Sequence, residues 1–183
     1  MHVKIPRALE EYEEFQIETG GQDVIVTWFP AHDVPEGKRH GSMGICVTDN
    51  DEIVLITADG KNWGFPGSRP EGDESWEETL RREVREEACA EVGDARLLGF
   101  GRSECIRGRE KGLVLVRSIW LARVQLNEWA PEPGMSARKL VPPSRILREF
   151  ESDVFLPFQH RALIVAGLIN YDKERNERTF LTK

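Results

Sequence analysis

The sequence predicts an α/β (α+β) sandwich built on a mixed β-sheet. Short apolar runs with strand character fill much of the first sixty residues, and further strand-like runs lie between residues 96 and 124. An amphipathic helix with clear ends separates the two groups, and an apolar helix follows them. Strands, one strong helix, more strands and a closing helix are typical of a layered domain that combines a sheet with helices.

The N-terminal elements are predicted from apolar runs and turn residues. Residues 6–18 fit either a short helix or a strand, because their apolar positions match both periods. Residues 23–29 are typical of a strand, and residues 44–48 and 53–58 predict a hairpin around an Asp-Asn-Asp turn. The stretch 63–74 is rich in Gly and Pro, which predicts a loop.

The clearest element is a helix over residues 76–88. Ser75 at its N-cap and Glu78 three residues later predict a capping box. Acidic residues in the first turn favour the helix dipole. An apolar side chain at every fourth position predicts the buried stripe, which is Trp76, Leu80, Val84 and Ala88.

The elements after this helix are less sharply marked. Residues 96–100 and 113–124 predict two strands with a charged loop, residues 102–112, between them. Residues 126–143 contain four prolines and are predicted to be mostly loop. The predicted closing helices are a short one at residues 145–150 and an apolar one at residues 158–169.

Composition restricts the classes of function. The chain has 183 residues with a formal net charge of −7, which fits one globular domain and argues against a stable nucleic-acid partner. An anionic ligand would need a local basic patch or a bridging metal. Three cysteines without C-x-x-C spacing, no signal-peptide core and no apolar run long enough to cross a bilayer predict a cytoplasmic protein without a membrane partner.

Three carboxylates cluster on one face of the predicted helix. Glu83, Glu86 and Glu87 are three or four positions apart and therefore converge beside the apolar stripe. Like charges at this spacing repel unless a cation or arginines hold them, and Mg²⁺ and Mn²⁺ prefer such oxygen ligands. Arg82 is placed to pair with Glu86 and with Glu74 in the loop. The alternative is a solvated helix face with Arg/Glu pairs.

The segment 68–90 resembles the Nudix box of the Nudix hydrolases. That box reads Gly, five residues, Glu, seven residues, Arg-Glu, an aliphatic residue, one residue, Glu-Glu, one residue, Gly and an aliphatic residue. The positions that fall in register here are Glu74, Arg82, Glu83, Val84, Glu86 and Glu87. The resemblance implies a Nudix-type α/β/α sandwich with a catalytic loop-helix-loop and a C-terminal helix.

Both box glycines are replaced, the first by Ser68 and the second by Cys89, although Gly67 directly precedes Ser68. Glycine at the second position favours the left-handed turn that ends a helix, so we expect Cys89 to make this exit costlier or different. The alternative to an enzyme is therefore a catalytically weakened Nudix-like module that binds a ligand or regulates. A third class is an interaction protein whose acidic helix faces water.

The resemblance implies hydrolysis of a phosphoanhydride in a nucleoside diphosphate linked to another moiety, or in a related polyphosphate. The implied cofactor is Mg²⁺ or Mn²⁺, which would neutralise the pyrophosphate and lower the pKa of bound water. Glu83 and Glu87 are the implied direct metal ligands, with the carbonyl of Gly67 as a further one. Glu86 would ligate a second metal or orient the attacking water.

The implied catalytic residues are Glu86, Glu87, Arg82 and Glu74. Arg82 and Glu74 would hold the loop against the helix. Some relatives use a glutamate of the helix as general base and others use one on a later loop. We favour the helix glutamates here, and the downstream alternatives are Glu104, Glu110, Glu128 and Glu132.

A basic cluster follows the box and is the predicted contact for the rest of the substrate. A small-molecule nucleotide or polyphosphate would suit it, whereas the alternative is a solvated hairpin tip. The cluster consists of Arg102, Arg107, Arg109, Lys111 and Arg117.

The predicted organisation is a Nudix domain at residues 43–171 with a segment on either side. Residues 1–42 would contribute a strand and pack on or extend the domain, and residues 172–183 would form a tail. Many relatives dimerise through such N-terminal strands, so the resemblance also implies a homodimer.

Overall fold

Seven strands and three helical segments make up the computed structural model, which describes residues 11–150 and 153–170. The helices are α1 (Trp76–Ala88) and α2 (Leu156–Val165), and a 3₁₀ helix spans Pro143–Phe150. The predicted tail, residues 172–183, lies outside the described residues. The strands are β1 (Glu13–Thr19), β2 (Gln22–Pro30), β3 (Lys38–Val47), β4 (Ile53–Thr57), β5 (Ala90–Arg107), β6 (Val114–Leu126) and β7 (Ala137–Val141).

The strands form one mixed sheet in the order β1-β2-β5-β6-β3-β4-β7. β3 and β6 run parallel, and the other neighbouring pairs are antiparallel. The predicted α/β (α+β) class with a mixed sheet is confirmed. Within the described ranges, no helix is both long and apolar enough to cross a bilayer.

The two α-helices cover opposite faces of the sheet. Successive residues of a strand point to opposite faces, and Ile119 and Trp120 of β6 accordingly belong to different apolar clusters. Leu80 and Val84 of α1 pack in the cluster that contains Trp120, whereas Phe158 of α2 packs in the one that contains Ile119. The arrangement is the predicted three-layer α/β/α sandwich.

Several element boundaries differ from the prediction. The ambiguous first segment is strand β1, because it pairs with β2 from Glu13 opposite Trp28 to Thr19 opposite Gln22. β5 continues to Arg107 and shortens the predicted charged loop. The proline-rich stretch contains β7, which the sequence did not predict and which pairs with the edge of β4. These strands are stabilised by pairing with distant segments, and local sequence does not report that pairing.

The closing helix α2 ends earlier than the predicted residue 169. The Leu168 N–H donates to the Leu163 carbonyl and the Gly167 N–H donates to the Ile164 carbonyl, which is the hydrogen-bond pattern of a Schellman motif. Gly167 has a φ of 76°, a left-handed conformation that ends the helix.

The loop before α1 is fixed to β3 by its backbone. The Ser42 N–H donates to the Ser68 carbonyl at 3.1 Å, and the Gly44 N–H donates to the Pro66 carbonyl at 2.9 Å. The approach is so close that a Cβ atom on Gly41 would lie 2.1 Å from the Ser68 oxygen. Glycine at position 41 is therefore required for the loop to reach its place.

We expect Gly41→Ala to lower the free energy of unfolding by about 2 kcal/mol or more, because either the loop or β3 must move away. Urea unfolding measures this change. Gly93→Ala is the matched control, because the nearest atom to its added Cβ is 3.6 Å away. Equal stability of the two variants would contradict the close approach.

Candidate functional site

The start of α1 is fixed by the predicted capping box. The Ser75 hydroxyl accepts a hydrogen bond from the Glu78 N–H at 3.2 Å, and the Glu78 carboxylate accepts one from the Ser75 N–H at 2.7 Å. The helix begins at Trp76, directly after the loop. The capping box therefore fixes the first turn of α1 directly after the loop.

The Arg82 side chain connects the loop with two glutamates of α1. Its guanidinium donates to Glu74 through Nε at 2.7 Å and to Glu83 and Glu86 through Nη1 at 2.7 and 3.0 Å. Nη2 also donates to the Arg69 carbonyl at 2.9 Å. The Arg82 side chain is only 12% exposed, so these charge-assisted bonds are protected from water. The contacts with Glu74 and Glu86 are those that the sequence predicted.

Glu74 is held as a carboxylate. Hydrogen bonds from Arg82, the Glu71 N–H and the Thr79 hydroxyl lower the pKa of Glu74 to about 2. In turn, Glu74 and the other carboxylates raise the pKa of Arg82. The loop and the helix are therefore joined by groups that stay charged across the physiological range of pH.

Glu83 and Glu87 lie in a different environment. The Glu83 side chain is 8% exposed, and burial followed by the neighbouring Glu87 and Glu86 raises the pKa of Glu83 despite the contact with Arg82. Burial and the charge of Glu86 likewise raise the pKa of Glu87. Burial therefore disfavours the charged form of both carboxylates.

Gly67 brings the loop backbone to the helix carboxylates. Its N–H donates to Glu87 Oε2 at 2.8 Å, whereas the sequence prediction assigned Gly67 a role through its carbonyl. The φ of Gly67 is 144°, and an added Cβ would lie 2.1 Å from the Ser42 carbonyl oxygen. Only glycine fits this position.

The two substituted box glycines leave the local backbone in place. Ser68 supplies its carbonyl to the Ser42 N–H. Cys89 takes up the left-handed conformation, with φ 49° and ψ 52°, that glycine would favour at the end of α1. A non-glycine residue pays about 1 kcal/mol for this conformation. The cost expected from the sequence is therefore the strain of the Cys89 backbone, and α1 still ends at this residue.

Arg138 of β7 stabilises this helix end, and the sequence did not predict its role. Its Nη1 donates to the carbonyls of Ala88 and Cys89 at 2.7 and 2.9 Å. A cation at a helix C-terminus is favourable because the last carbonyls carry partial negative charge. A lone arginine after a proline-rich stretch gives no local signal of this contact.

The chemistry of the carboxylate set fits a hard divalent cation. Glu83, Glu86 and Glu87 offer only oxygen ligands, which hard divalent cations prefer. Among residues 11–150 and 153–170, no three His, Cys, Asp or Glu side chains are already grouped around a common metal position. Glu83 and Glu86 contact Arg82 instead, and Glu87 contacts Gly67.

The predicted basic cluster is dispersed in the structure. Arg102 pairs with Glu104 at 2.8 Å, and Arg107 pairs with Asp23 at 2.5 Å. Both residues belong to β5 and not to the predicted loop. The two other residues of the predicted substrate contact, Arg109 and Lys111, are exposed at the turn after β5, as the alternative interpretation of a hairpin tip implies.

Arg117 differs from the rest of this cluster because it lines a cleft. The cleft has a volume of about 450 Å³ and is also lined by Gly64 and Phe65, which directly precede the loop at Pro66. No local pattern in the sequence indicated this cleft, because its walls come from strands and helices that are distant along the chain.

The downstream candidates for a general base lie in different parts of the structure. Glu104 is paired with Arg102, and Glu110 accepts a hydrogen bond from Gln22 at 3.1 Å. The Glu132 N–H donates to the carbonyl of Glu86 at 3.1 Å, so its loop lies against the C-terminal part of α1. Glu128 is exposed in the segment after β6.

Comparison with known proteins gives a family and a fold. The model of the NUDIX domain matches residues 38–157. The Bacillus subtilis pyrophosphohydrolase BsRppH is 24% identical with a TM-score of 0.62, over 85% of this chain and 98% of that one. A NUDIX hydrolase from Nitrosomonas europaea is 16% identical with a TM-score of 0.57, over 75% and 98%. No curated protein matches the chain significantly in sequence.

We expect Glu74→Gln to destabilise the protein by about 1–3 kcal/mol at neutral pH. The pKa of Glu74 is about 2 in the fold against an ordinary value of 4.5. Its stabilising effect is therefore fully present above the ordinary value and is lost as the pH falls towards about 2. Urea unfolding of wild type and Glu74→Gln at neutral pH and near pH 3 measures this effect. The difference between their free energies of unfolding should be smaller near pH 3.

The exposed Glu91 provides the control for this measurement. Glu91→Gln should change the free energy of unfolding by less than about 0.5 kcal/mol. A gap between wild type and Glu74→Gln that stays constant with pH would contradict the ion pair as its source.

Proposed function

The chain belongs to the Nudix hydrolase superfamily, and from this premise we propose that it is a divalent-metal-dependent pyrophosphohydrolase. The proposed substrate is a nucleoside diphosphate linked to another moiety, or a related polyphosphate. The prediction of a hydrolase of pyrophosphate bonds is confirmed at the level of the family. The substrate class, the metal and the residue roles are our proposal for this chain.

One observation carries the proposal: a single arginine joins the loop to the carboxylates of the box. Arg82 contacts Glu74 in the loop and Glu83 and Glu86 on the helix. A helix face that merely faced water would leave these side chains exposed and separately solvated. Here Arg82 and Glu83 are largely buried, and their burial argues for a built site.

The residues of the site have distinct tasks in this proposal. Arg82 and Glu74 position the loop, and Glu83, Glu86 and Glu87 would hold Mg²⁺ or Mn²⁺ together with the carbonyl of Gly67. When bound, such a cation neutralises a pyrophosphate and lowers the pKa of coordinated water. The N–H of Gly67 keeps Glu87 oriented towards the loop.

The proposed general base is one of the helix glutamates. Glu86 is 34% exposed and is therefore the most accessible to water of the residues that contact Arg82 on the helix. As a base, Glu86 or Glu87 would accept a proton from the attacking water. Glu132 is the alternative, because its loop contacts the same part of α1.

Three further sequence predictions concern the partner, the location in the cell and the oligomeric state. A small phosphate-bearing molecule is the partner that the family implies, and location in the cytoplasm and formation of a homodimer stay predictions. The rival function, a weakened binding module, was motivated by Ser68 and Cys89. The backbone geometry at both positions supports the enzyme, because the loop contact and the helix end are kept.

We expect hydrolysis of at least one phosphoanhydride in a panel of nucleoside diphosphate derivatives and polyphosphates, only when Mg²⁺ or Mn²⁺ is present. Glu86→Gln and Glu87→Gln should each lower kcat/KM by about 100-fold or more, because each removes a carboxylate of the site. Release of phosphorylated products, followed by chromatography, measures the rate.

Glu77→Gln is the matched control on the same helix. Glu77 pairs with Arg81 at 2.8 Å and has no contact with Arg82 in the described structure, so its kcat/KM should equal that of wild type. If no compound in the panel is hydrolysed, the proposal is wrong. Wild-type kcat/KM in Glu86→Gln, Glu87→Gln and the double variant would also contradict the proposal.

The rival function is tested by restoring the glycines. If Ser68→Gly and Cys89→Gly together change kcat/KM by less than about threefold, the substitutions do not limit an active enzyme. A rise of about tenfold or more would instead support a weakened site. Circular dichroism of both proteins controls for altered folding.

A further inference from the structure

Two adjacent basic residues of the edge strand β7 point to opposite faces of the sheet. Arg138 is opposite Ile56 of β4, which packs in the same apolar cluster as α1. Lys139 is opposite Leu55, which packs in the cluster that contains α2. β7 therefore presents one cation to each layer of helices.

Arg138 holds the end of α1 from outside the helix. The last carbonyls of a helix have no partner within it. Nη1 of Arg138 donates to the carbonyls of Ala88 and Cys89 at 2.7 and 2.9 Å. Nη2 donates to the Asn127 carbonyl at 3.2 Å, and the Asn127 N–H donates to the Cys89 carbonyl at 2.8 Å. Arg138 thus ties the helix end to the segment that follows β6.

Lys139 holds the beginning of the loop on the other face of the sheet. Its Nζ lies 3.9 Å from the centroid of the Trp63 ring and pairs with Glu149 of the 3₁₀ helix. A cation over an aromatic face is attracted by the charge distribution of the ring. The next residue, Gly64, exchanges two backbone hydrogen bonds of 3.0 Å with Ile56. The loop therefore starts from a position that both β4 and β7 fix.

Both fixed ends lie close in sequence to groups that meet at the site. Gly67 is four residues after Trp63, and Glu87 directly precedes Ala88. The Gly67 N–H donates to Glu87 Oε2 at 2.8 Å, so this bond joins the loop to the last turn of the helix. A shift of either end would change the separation of these two groups.

We infer that Arg138 and Lys139 are positioning residues, which hold the loop and α1 at the separation that the site needs to bind its divalent cation. The inference rests on the proposed function, because it makes the affinity of Glu83, Glu86 and Glu87 for that cation depend on two side chains outside the Nudix box. It gives β7, the strand that local sequence did not predict, a task in the site.

The sign of the effect on metal affinity separates positioning from simple charge. Loss of a nearby positive charge would by itself strengthen the binding of a cation to carboxylates, whereas displaced ligands bind it more weakly. We expect Arg138→Met and Lys139→Met each to weaken Mn²⁺ binding about tenfold or more. Electron paramagnetic resonance of free Mn²⁺ during a titration measures the affinity.

Two further variants complete the titration. Lys139→Arg keeps a cation that can lie over Trp63 and pair with Glu149, so its affinity for Mn²⁺ should stay within about threefold of wild type. Arg145→Met removes an exposed arginine of the 3₁₀ helix, and this matched control should keep the wild-type affinity.

Hydrogen exchange at the Gly67 amide measures the positioning without any metal. In Arg138→Met and Lys139→Met this amide should exchange about tenfold faster than in wild type, because its bond to Glu87 is loosened. Amides of β2, which pairs with β1 and β5, should keep their exchange rates and show that the sheet is intact. Each variant tests one end of the loop and helix separately.

The outcomes distinguish this inference from the proposed function. Wild-type exchange at Gly67 in both Met variants would overturn the inference, and so would unchanged or tighter Mn²⁺ binding while wild type hydrolyses its substrate. A wild-type protein that binds no Mn²⁺ would instead contradict the proposed function. Exchange at Gly67 would then decide by itself whether β7 positions the loop.

Discussion

The guanidinium of Arg82 is shared among Glu74, Glu83 and Glu86, and the arrangement of the site depends on this sharing. Acidic side chains three positions apart on a helix, as Glu83 and Glu86 are, repel one another, and a buried carboxylate is costly unless it is paired. A planar fork with several donors satisfies them from a fixed position, which the single point charge of a lysine cannot do. The same contacts attach the loop to α1.

Backbone packing supplies the second constraint. The loop can reach Arg82 and Glu87 only because Gly41 and Gly67 allow two backbones to approach without Cβ atoms between them. At the other end of α1, Cys89 accepts a strained conformation while Arg138 neutralises the last carbonyls. The loop contact at Ser68 and the left-handed helix end at Cys89 are therefore formed without either box glycine.

Charge is organised locally in spite of the net charge of −7. The carboxylates of α1 contact Arg82 and the Gly67 N–H, and Arg117 lines the neighbouring cleft.

Local sequence determined α1, its capping box and the contacts of Arg82, because a capping pattern and a spacing of three or four residues act within one helix. It did not determine β7 or the role of Arg138, since both depend on pairing between segments far apart in the chain. The dispersal of the basic cluster and the pairing of Gln159 with Asp153 were likewise decided by tertiary structure. A strand fixes which face a side chain occupies only after its register is set, and register comes from the partner strand.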